Sequence, residues 1–272
     1  NPALSGISSG FYDLDSFTQG FQKSDLIVIA GRPSMGKTAL ALNIGLNILK
    51  NLQLPVLFFS LEMSKEQLTY RLLMHETNIN SNRLKTGNLY KDDWFKLNKI
   101  IQNLSSLPFF IDDTPNPSIQ EIKSKIKKVL FEQTQVGLIV IDYLQLMQNS
   151  QFSTTNRTQE LSQITRSLKN LAREFQVPII ALSQLSRNVE SRPNKRPILS
   201  DLRESGSIEQ DADLVLMLYR ESYYHSSTPT TINDQNSLVE LIIAKQRNGP
   251  IGTVELEFDS KRTKFLNINS NN

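Results

Sequence analysis

A chain of 272 residues with 39% apolar and 21% charged side chains can bury a large core, as one big domain or two small ones. No apolar run approaches the roughly 20 residues that cross a bilayer, and Asn1-Pro2-Ala3-Leu4-Ser5 lacks the basic and apolar regions of a signal peptide. Cysteine is absent, which excludes disulfides and thiolate zinc sites and fits a reducing compartment, while a net charge of +3 is too mild to argue for nucleic acid by itself.

In chain order, residues 26–30 read as a buried apolar strand, and residues 39–44 as the first turns of a helix. Residues 55–60 are a second buried strand. Ser64-Lys65-Glu66-Gln67 is a capping box that opens a helix reaching about His75. Residues 92–104 form a helix, 108–112 a strand, and Ser118-Ile119-Gln120-Glu121 a second capping box. Behind that box Ile119, Ile122, Ile126, Val129 and Leu130 recur at helical spacing. Residues 137–141 are fully apolar, 157–175 a long helix, and 177–182 and 213–218 further strands. The end of the chain changes character: strands over 238–244 and 252–258 are joined by residues 245–251 as a hairpin. Residues 149–156 and 190–199 read as loops, and 222–236 as a polar, mobile insertion. No internal repeat is visible.

Apolar strands separated by amphipathic helices predict an α/β domain, a mainly parallel twisted sheet with helices on both faces. Ligands of such sheets sit at the carboxyl ends of the strands. There the sequence places Gly31-Arg32-Pro33-Ser34-Met35-Gly36-Lys37-Thr38, glycine, four variable residues, then Gly-Lys-Thr, between a strand and a helix. Gly31 and Gly36 are expected to take torsions that a side chain forbids, so that N–H groups up to Ala39 point at phosphate oxygens. Lys37 offers a mobile charge to the β- and γ-phosphates, and the Thr38 hydroxyl a hard ligand for Mg²⁺. The loop predicts a bound nucleoside triphosphate.

Hydrolysis needs more. Asp142 closes the 137–141 strand as a Mg²⁺-site acid, reaching the ion through water. Glu62, just past the 55–60 strand, is placed to orient or deprotonate water; a first-turn acid facing a helix dipole is the plainer reading. Gln184 follows the 177–182 strand, and spacing alone leaves open whether it senses the γ-phosphate or merely ends a strand. Arg187, Arg192, Lys195, Arg196 and Arg203 form a basic span behind it, expected as a flexible polyanion contact, although such spans are more often solvated surface. The two histidines, His75 and His225, have no second ligand at a metal-like spacing.

Together with the phosphate loop, Ser60-Leu61-Glu62-Met63, residues 141–147 (Ile-Asp-Tyr-Leu-Gln-Leu-Met), residues 201–213 (Asp-Leu-Arg-Glu-Ser-Gly-Ser-Ile-Glu-Gln-Asp-Ala-Asp), Lys245-Gln246-Arg247-Asn248-Gly249-Pro250 and residues 6–15 resemble the bacterial replicative DNA helicase, DnaB type, over nearly the whole chain. The resemblance implies a RecA-like P-loop NTPase core with a C-terminal β-hairpin, assembled as a hexameric ring on single-stranded DNA and using ATP and Mg²⁺. By it Glu62 is the catalytic base, Asp142 the magnesium-site acid and Gln184 the γ-phosphate sensor. Arg203, Glu204 and Gly206 follow the DNA backbone, and Lys245 and Arg247 reach the neighbouring subunit's ATP. Residues 1–20 are then a linker, 21–268 the motor and 269–272 a tail. The family carries a helical N-terminal domain and linker ahead of the motor, on which ring formation and primase and loader binding depend, so an excised domain or a divided gene product is expected. A filament-forming recombination ATPase and a nucleotide-gated assembly module are the competing readings. The Asn- and Lys-rich composition points to an AT-rich source, a bacterial cytoplasm or a plastid stroma.

Overall fold

The structure is a computed structural model and describes residues 3–147, 157–205, 208–225 and 236–268. Its first helix, α1 (Tyr12–Thr18), precedes the central strand β1 (Leu26–Gly31), whose six residues are all buried. Then come α2 (Lys37–Asn47) with a short π-turn over Ile48–Leu52, β2 (Val56–Ser60), α3 (Lys65–Glu76), α4 (Ser81–Thr86), α5 (Lys91–Ser105), β3 (Phe109–Asp112), α6 (Ile119–Gln133) and β4 (Leu138–Asp142). A 3₁₀ turn at Leu144–Leu146 leads toward α7 (Arg157–Phe175), β5 (Ile179–Gln184), α8 (Asn188–Ser191), a second 3₁₀ turn (Leu199–Ser205), α9 (Ile208–Asp211), β6 (Leu214–Tyr219) and α10 (Glu221–His225). Three strands finish the described chain: β7 (Asn236–Gln246), β8 (Gly252–Asp259) and β9 (Lys264–Asn267).

Among the described residues these strands make one sheet in the order β3-β2-β4-β5-β1-β6-β7-β8-β9. The first six are parallel and the last three antiparallel. The pleat divides the core. From β1, Ile27 and Ile29 enter one apolar layer with α2 and α1, while Leu26, Val28 and Ala30 enter the other with α6 and α7. Strands covered on both faces must be apolar at every position, which is why they read as unbroken runs rather than alternating ones.

Both predicted capping boxes form. The Ser64 hydroxyl accepts from Gln67 N at 3.2 Å, and the Ser118 hydroxyl from Glu121 N at the same distance. Each box satisfies otherwise orphaned donors and fixes where its helix starts, a contribution of about 1 kcal/mol.

Several expectations change. The terminal hairpin is present but is extended by β9, whose Phe265 packs against Phe258 beneath the phosphate loop. Residues 190–199 begin inside α8. Of the polar stretch 222–236, residues up to His225 are helical and Asn236 opens β7, whereas 226–235 lie outside the described residues, as do 149–156. The basic span is not a free, flexible arm. Arg192 donates to both carboxylate oxygens of Asp201, Arg196 to Glu240 and Thr253, and Lys195 lies 4.8 Å over the Tyr224 ring. The segment before β1 is tied in through Ile7, which bridges Phe21, and through buried Phe11 and Leu14. Among the described residues no helix is long and apolar enough to cross a membrane.

Candidate active site

The carboxyl end of β1 runs into the loop 31–36, and α2 starts at Lys37. Gly36 has φ +100° and a Cβ there would press on the Phe265 ring at 3.1 Å, so glycine is required. Gly31 corrects the expectation: it is an ordinary strand residue, and an added Cβ would meet Lys37 at an acceptable 3.4 Å. Met35 and Ala39 turn their side chains into the core, which anchors the loop. Arg32 ties it sideways, donating to Leu185 O at 2.8 Å and to Glu190 at 3.0 Å.

A cavity of about 660 Å³ opens over this loop, lined by Lys37, Thr38, Glu62, Asp142, Gln184 and Arg220 among others. Their convergence follows from register. Ser60 of β2 pairs with Asp142 of β4, and Gly31 of β1 with Gln184 of β5, so four neighbouring strands end at one level. Glu62 is two residues past β2, exposed to the cavity, in a turn held by the bond from Leu61 N to Asp142 O at 2.7 Å. Gln184 lies at the end of β5, hydrogen-bonded by its side chain to Tyr143, while its N–H donates to Gln145 Oε1 at 3.5 Å.

Burial dominates the electrostatics. Lys37 is lowered to about 8 by desolvation, against the pull of Asp142 and Glu62, and donates to Gly31 O at 2.8 Å. Asp142 is raised to about 6, again chiefly by burial, with the Thr38 hydroxyl donating to it at 2.7 Å. A buried carboxylate beside a hydroxyl oxygen suits a hard divalent cation. No group of three His, Asp or Glu among the described residues could hold a metal alone. Thr38 and Asp142 are the pair that would suit a Mg²⁺ ion carrying water and substrate phosphates as further ligands.

Sequence reasoning missed three side chains here. Arg71, on α3, lines the cavity and acts electrostatically on Asp142. Arg220, just past β6, stacks its guanidinium 4.2 Å over the Phe258 ring, and its buried Nε has no hydrogen-bond partner among the described residues. Phe258 is at the end of β8. None sits in a local motif; only the sheet order brings them together.

The remaining candidates lie elsewhere. Lys245 is the last residue but one of β7, paired with Val215, and Arg247 follows the strand in the turn, both at the amino end of the parallel strands. Arg247 donates to Asp213 Oδ1 at 3.0 Å and to Gln210 O at 2.9 Å; Lys245 donates to Glu209 O at 2.5 Å. The Asp213 carboxylate also accepts from Leu26 N, the first residue of β1. The length of β1, about 17 Å, therefore separates these cations from their own chain's phosphate loop. Arg203 and Glu204 lie on the turn Leu199–Ser205, and Gly206 lies outside the described residues.

Carboxylates and an amide at adjacent strand ends, facing a glycine-lysine-threonine loop, are the working parts of a RecA-like P-loop nucleotide-binding domain. Within that class the chain belongs to the DnaB-like helicase C-terminal domain family, which matches residues 6–267. It is 72% identical over 265 residues to a "Probable replicative DNA helicase" of Trieres chinensis, covering 97% of this chain and 58% of that protein. It is 52% identical to the "Replicative DNA helicase DnaC" of Bacillus subtilis (strain 168), covering 97% and 57%. The chain thus spans a little over half the length of these relatives. Among solved structures, one described as an ATPase domain superposes with a TM-score of 0.91 at 41% identity, over 98% of this chain and 93% of that one. A DnaB-like replicative helicase described with its primase interactions gives 0.89 at 42% identity, over 97% and 62%.

Proposed function

We propose that this domain is the motor of an ATP-dependent replicative DNA helicase, hydrolysing ATP at the interfaces of a hexameric ring to move along single-stranded DNA and open the duplex at the replication fork. The observation that carries this reading is the single cavity shared by Lys37, Thr38, Glu62, Asp142 and Gln184. The loop 31–39 and Lys37 bind and orient the triphosphate, and Thr38 and Asp142 hold Mg²⁺, which neutralises phosphate charge when bound. Glu62 takes the proton of the attacking water, and Gln184 senses the γ-phosphate.

The packing links that site to the turn Leu199–Ser205. Arg32 grips Glu190 of α8, and Arg192 at the end of α8 grips Asp201 of the turn Leu199–Ser205. We assign Arg203, Glu204 and Gly206, in and just after that turn, to the DNA backbone. Lys245 and Arg247, too far from their own cavity, serve the ATP of the next subunit, where a guanidinium stabilises the transition state. The motor is residues 21–268, with 1–20 as its linker and 269–272 as a tail. Primase and a loader are expected partners of the longer protein, in a bacterial cytoplasm or a plastid stroma.

ATPase rates with and without single-stranded DNA test the motor, and no stimulation would remove it in favour of a nucleotide-gated assembly module. Displacement of one strand of a forked duplex then separates a helicase from a filament-forming recombination ATPase.

A further inference from the structure

We infer that Asp213 is a positioning residue for hydrolysis at the neighbouring subunit: it holds the Arg247 guanidinium at the edge of the domain, aimed outward. The inference rests on the assignment of Arg247 to the next subunit's ATP and names what sets its geometry.

Asp213 stands immediately before β6, and its side chain is only 7% exposed. One oxygen, Oδ2, accepts from Leu26 N at 2.9 Å and from Lys169 Nζ at 2.5 Å; Lys169 in turn donates to Ser24 O at 2.8 Å. Its backbone N–H donates to Leu26 O at 2.9 Å. The carboxylate is thus fixed to the central strand and to α7. What it holds is Arg247, by side chain through Oδ1 and by backbone through the bond from Arg247 N to Asp213 O at 2.8 Å. A guanidinium has five donors in one plane. Among the described residues one goes to Asp213 and one to Gln210 O, and the side chain is 41% exposed. Two planar contacts fix the orientation of a fork that is partly exposed at the edge of the domain, and a fork so held suits bidentate recognition of phosphate.

The other contacts give this placement a second consequence. Arg247 and Lys245 both rest on the closing carbonyls of α9, Glu209 and Gln210. That helix follows directly on residues 203–207, which carry the proposed DNA contacts. Asp213 comes two residues after α9 ends, so the segment that answers to DNA and the arginine that answers to ATP share one buried anchor. A simple ion pair stitching β6 to β7 would explain the burial, but not why a carboxylate already engaged by a lysine also sets the fork of a half-exposed arginine.

Mixed assemblies separate these roles. Lys37→Ala subunits have an intact Arg247, and Arg247→Ala subunits an intact phosphate loop, so mixing the two inactive proteins on single-stranded DNA should restore turnover at mixed interfaces. If that control stays dead, the trans assignment of Arg247 falls, and the role of Asp213 with it. With the control active, Asp213→Asn alone should lower kcat at least tenfold, with the Kd for a non-hydrolysable ATP analogue unchanged within twofold. Mixed with Lys37→Ala, it should recover as Arg247→Ala does, because the defect lies in the arginine it lends. The double variant Asp213→Asn/Arg247→Ala should be no slower than Arg247→Ala. A kcat within twofold of the parent, a kcat above it, or a mixture that fails to recover would each overturn the assignment. Should Asp213→Asn lose analogue binding through misfolding, Asp213→Glu, which keeps the charge and displaces the carboxylate, takes its place with the same expectations.

Discussion

The two ends of β1 treat their cations in opposite ways. At Gly31 the strand opens onto a cavity where Lys37 donates to a backbone carbonyl, and burial lowers its proton affinity. At Leu26 the strand begins on Asp213, with Lys169 and Arg247 already paired to that carboxylate. One end is open to anions, and the other is a saturated cluster presenting one fixed guanidinium. On the proposed function, a single subunit carries the receiving half of a hydrolytic site at one end of this strand and the donating half at the other, about 17 Å apart.

The comparison breaks first at Arg247. Arg247→Ala should lower kcat by roughly 10³-fold or more in the assembled protein while leaving ATP-analogue affinity within a few fold. Steady-state ATPase assays beside analogue titrations check it, and full turnover would mean that the cluster at Leu26 is structural only. Glu62→Gln tests the receiving end. It keeps size and shape, so the expected loss is about 10²–10⁴-fold in kcat with binding retained. A comparable loss of analogue binding would make Glu62 part of the binding surface rather than the base.

How far the sequence reveals these ends differs for a physical reason. The strands covered on both faces, β1, β2 and β4, and the helices behind Ser64 and Ser118 are legible because local rules decide them: apolar continuity and reciprocal caps. The receiving site is legible for a related reason, since parallel strands put their βα turns on one side, and Lys37, Asp142 and Glu62 sit in or at the edge of such turns. Helix α1 is not legible. It has seven residues and no capping side-chain bond at Phe11, and it depends on buried Asp15 accepting from Ser8 and Ser9. Strand β9, four residues long, depends on pairing with β8, and Arg220 reaches the cavity only because β6 lies beside β1. The donating end is legible in outline only. Asp213 reads as the first residue of a strand, and its partner Arg247 lies 34 positions away, beyond any local pattern.

A third test uses pH on the receiving end. In the nucleotide-free chain Lys37 is lowered to about 8, mainly by burial. Phosphate binding requires the ammonium, so the affinity for a non-hydrolysable ATP analogue should be flat below about pH 7.5. Above pH 8 it should weaken by roughly tenfold per unit as the free protein loses its proton. Lys37→Arg, whose charge does not titrate, should bind with no such break. A wild-type affinity unchanged up to pH 9.5 would show that the ammonium is better solvated than its burial suggests.

The donating end predicts a smaller effect of the same kind, in stability rather than binding. Asp25, beside Asp213, is raised from 3.8 to about 6, first by burial and then by the Asp213 charge, with Lys169 and Arg247 opposing. A carboxyl whose folded-state value lies above its unfolded one favours folding only while protonated. Below pH 3.8 both states hold the proton. Between 3.8 and about 6 the unfolded chain has released it and the folded chain resists doing so, so stability declines as pH rises through that window. The full cost is present at pH 7 and above. Asp25 is only half-buried, so solvent screening reduces that cost to about 1 kcal/mol. Asp25→Asn should therefore raise the melting temperature by about 2–4 °C at pH 8, and by much less near pH 4. An equal gain at both values would assign the effect to packing. A gain confined to high pH would show that the cluster presenting Arg247 holds two neighbouring carboxylates at a real cost in stability, as expected where charge placement serves turnover rather than the fold.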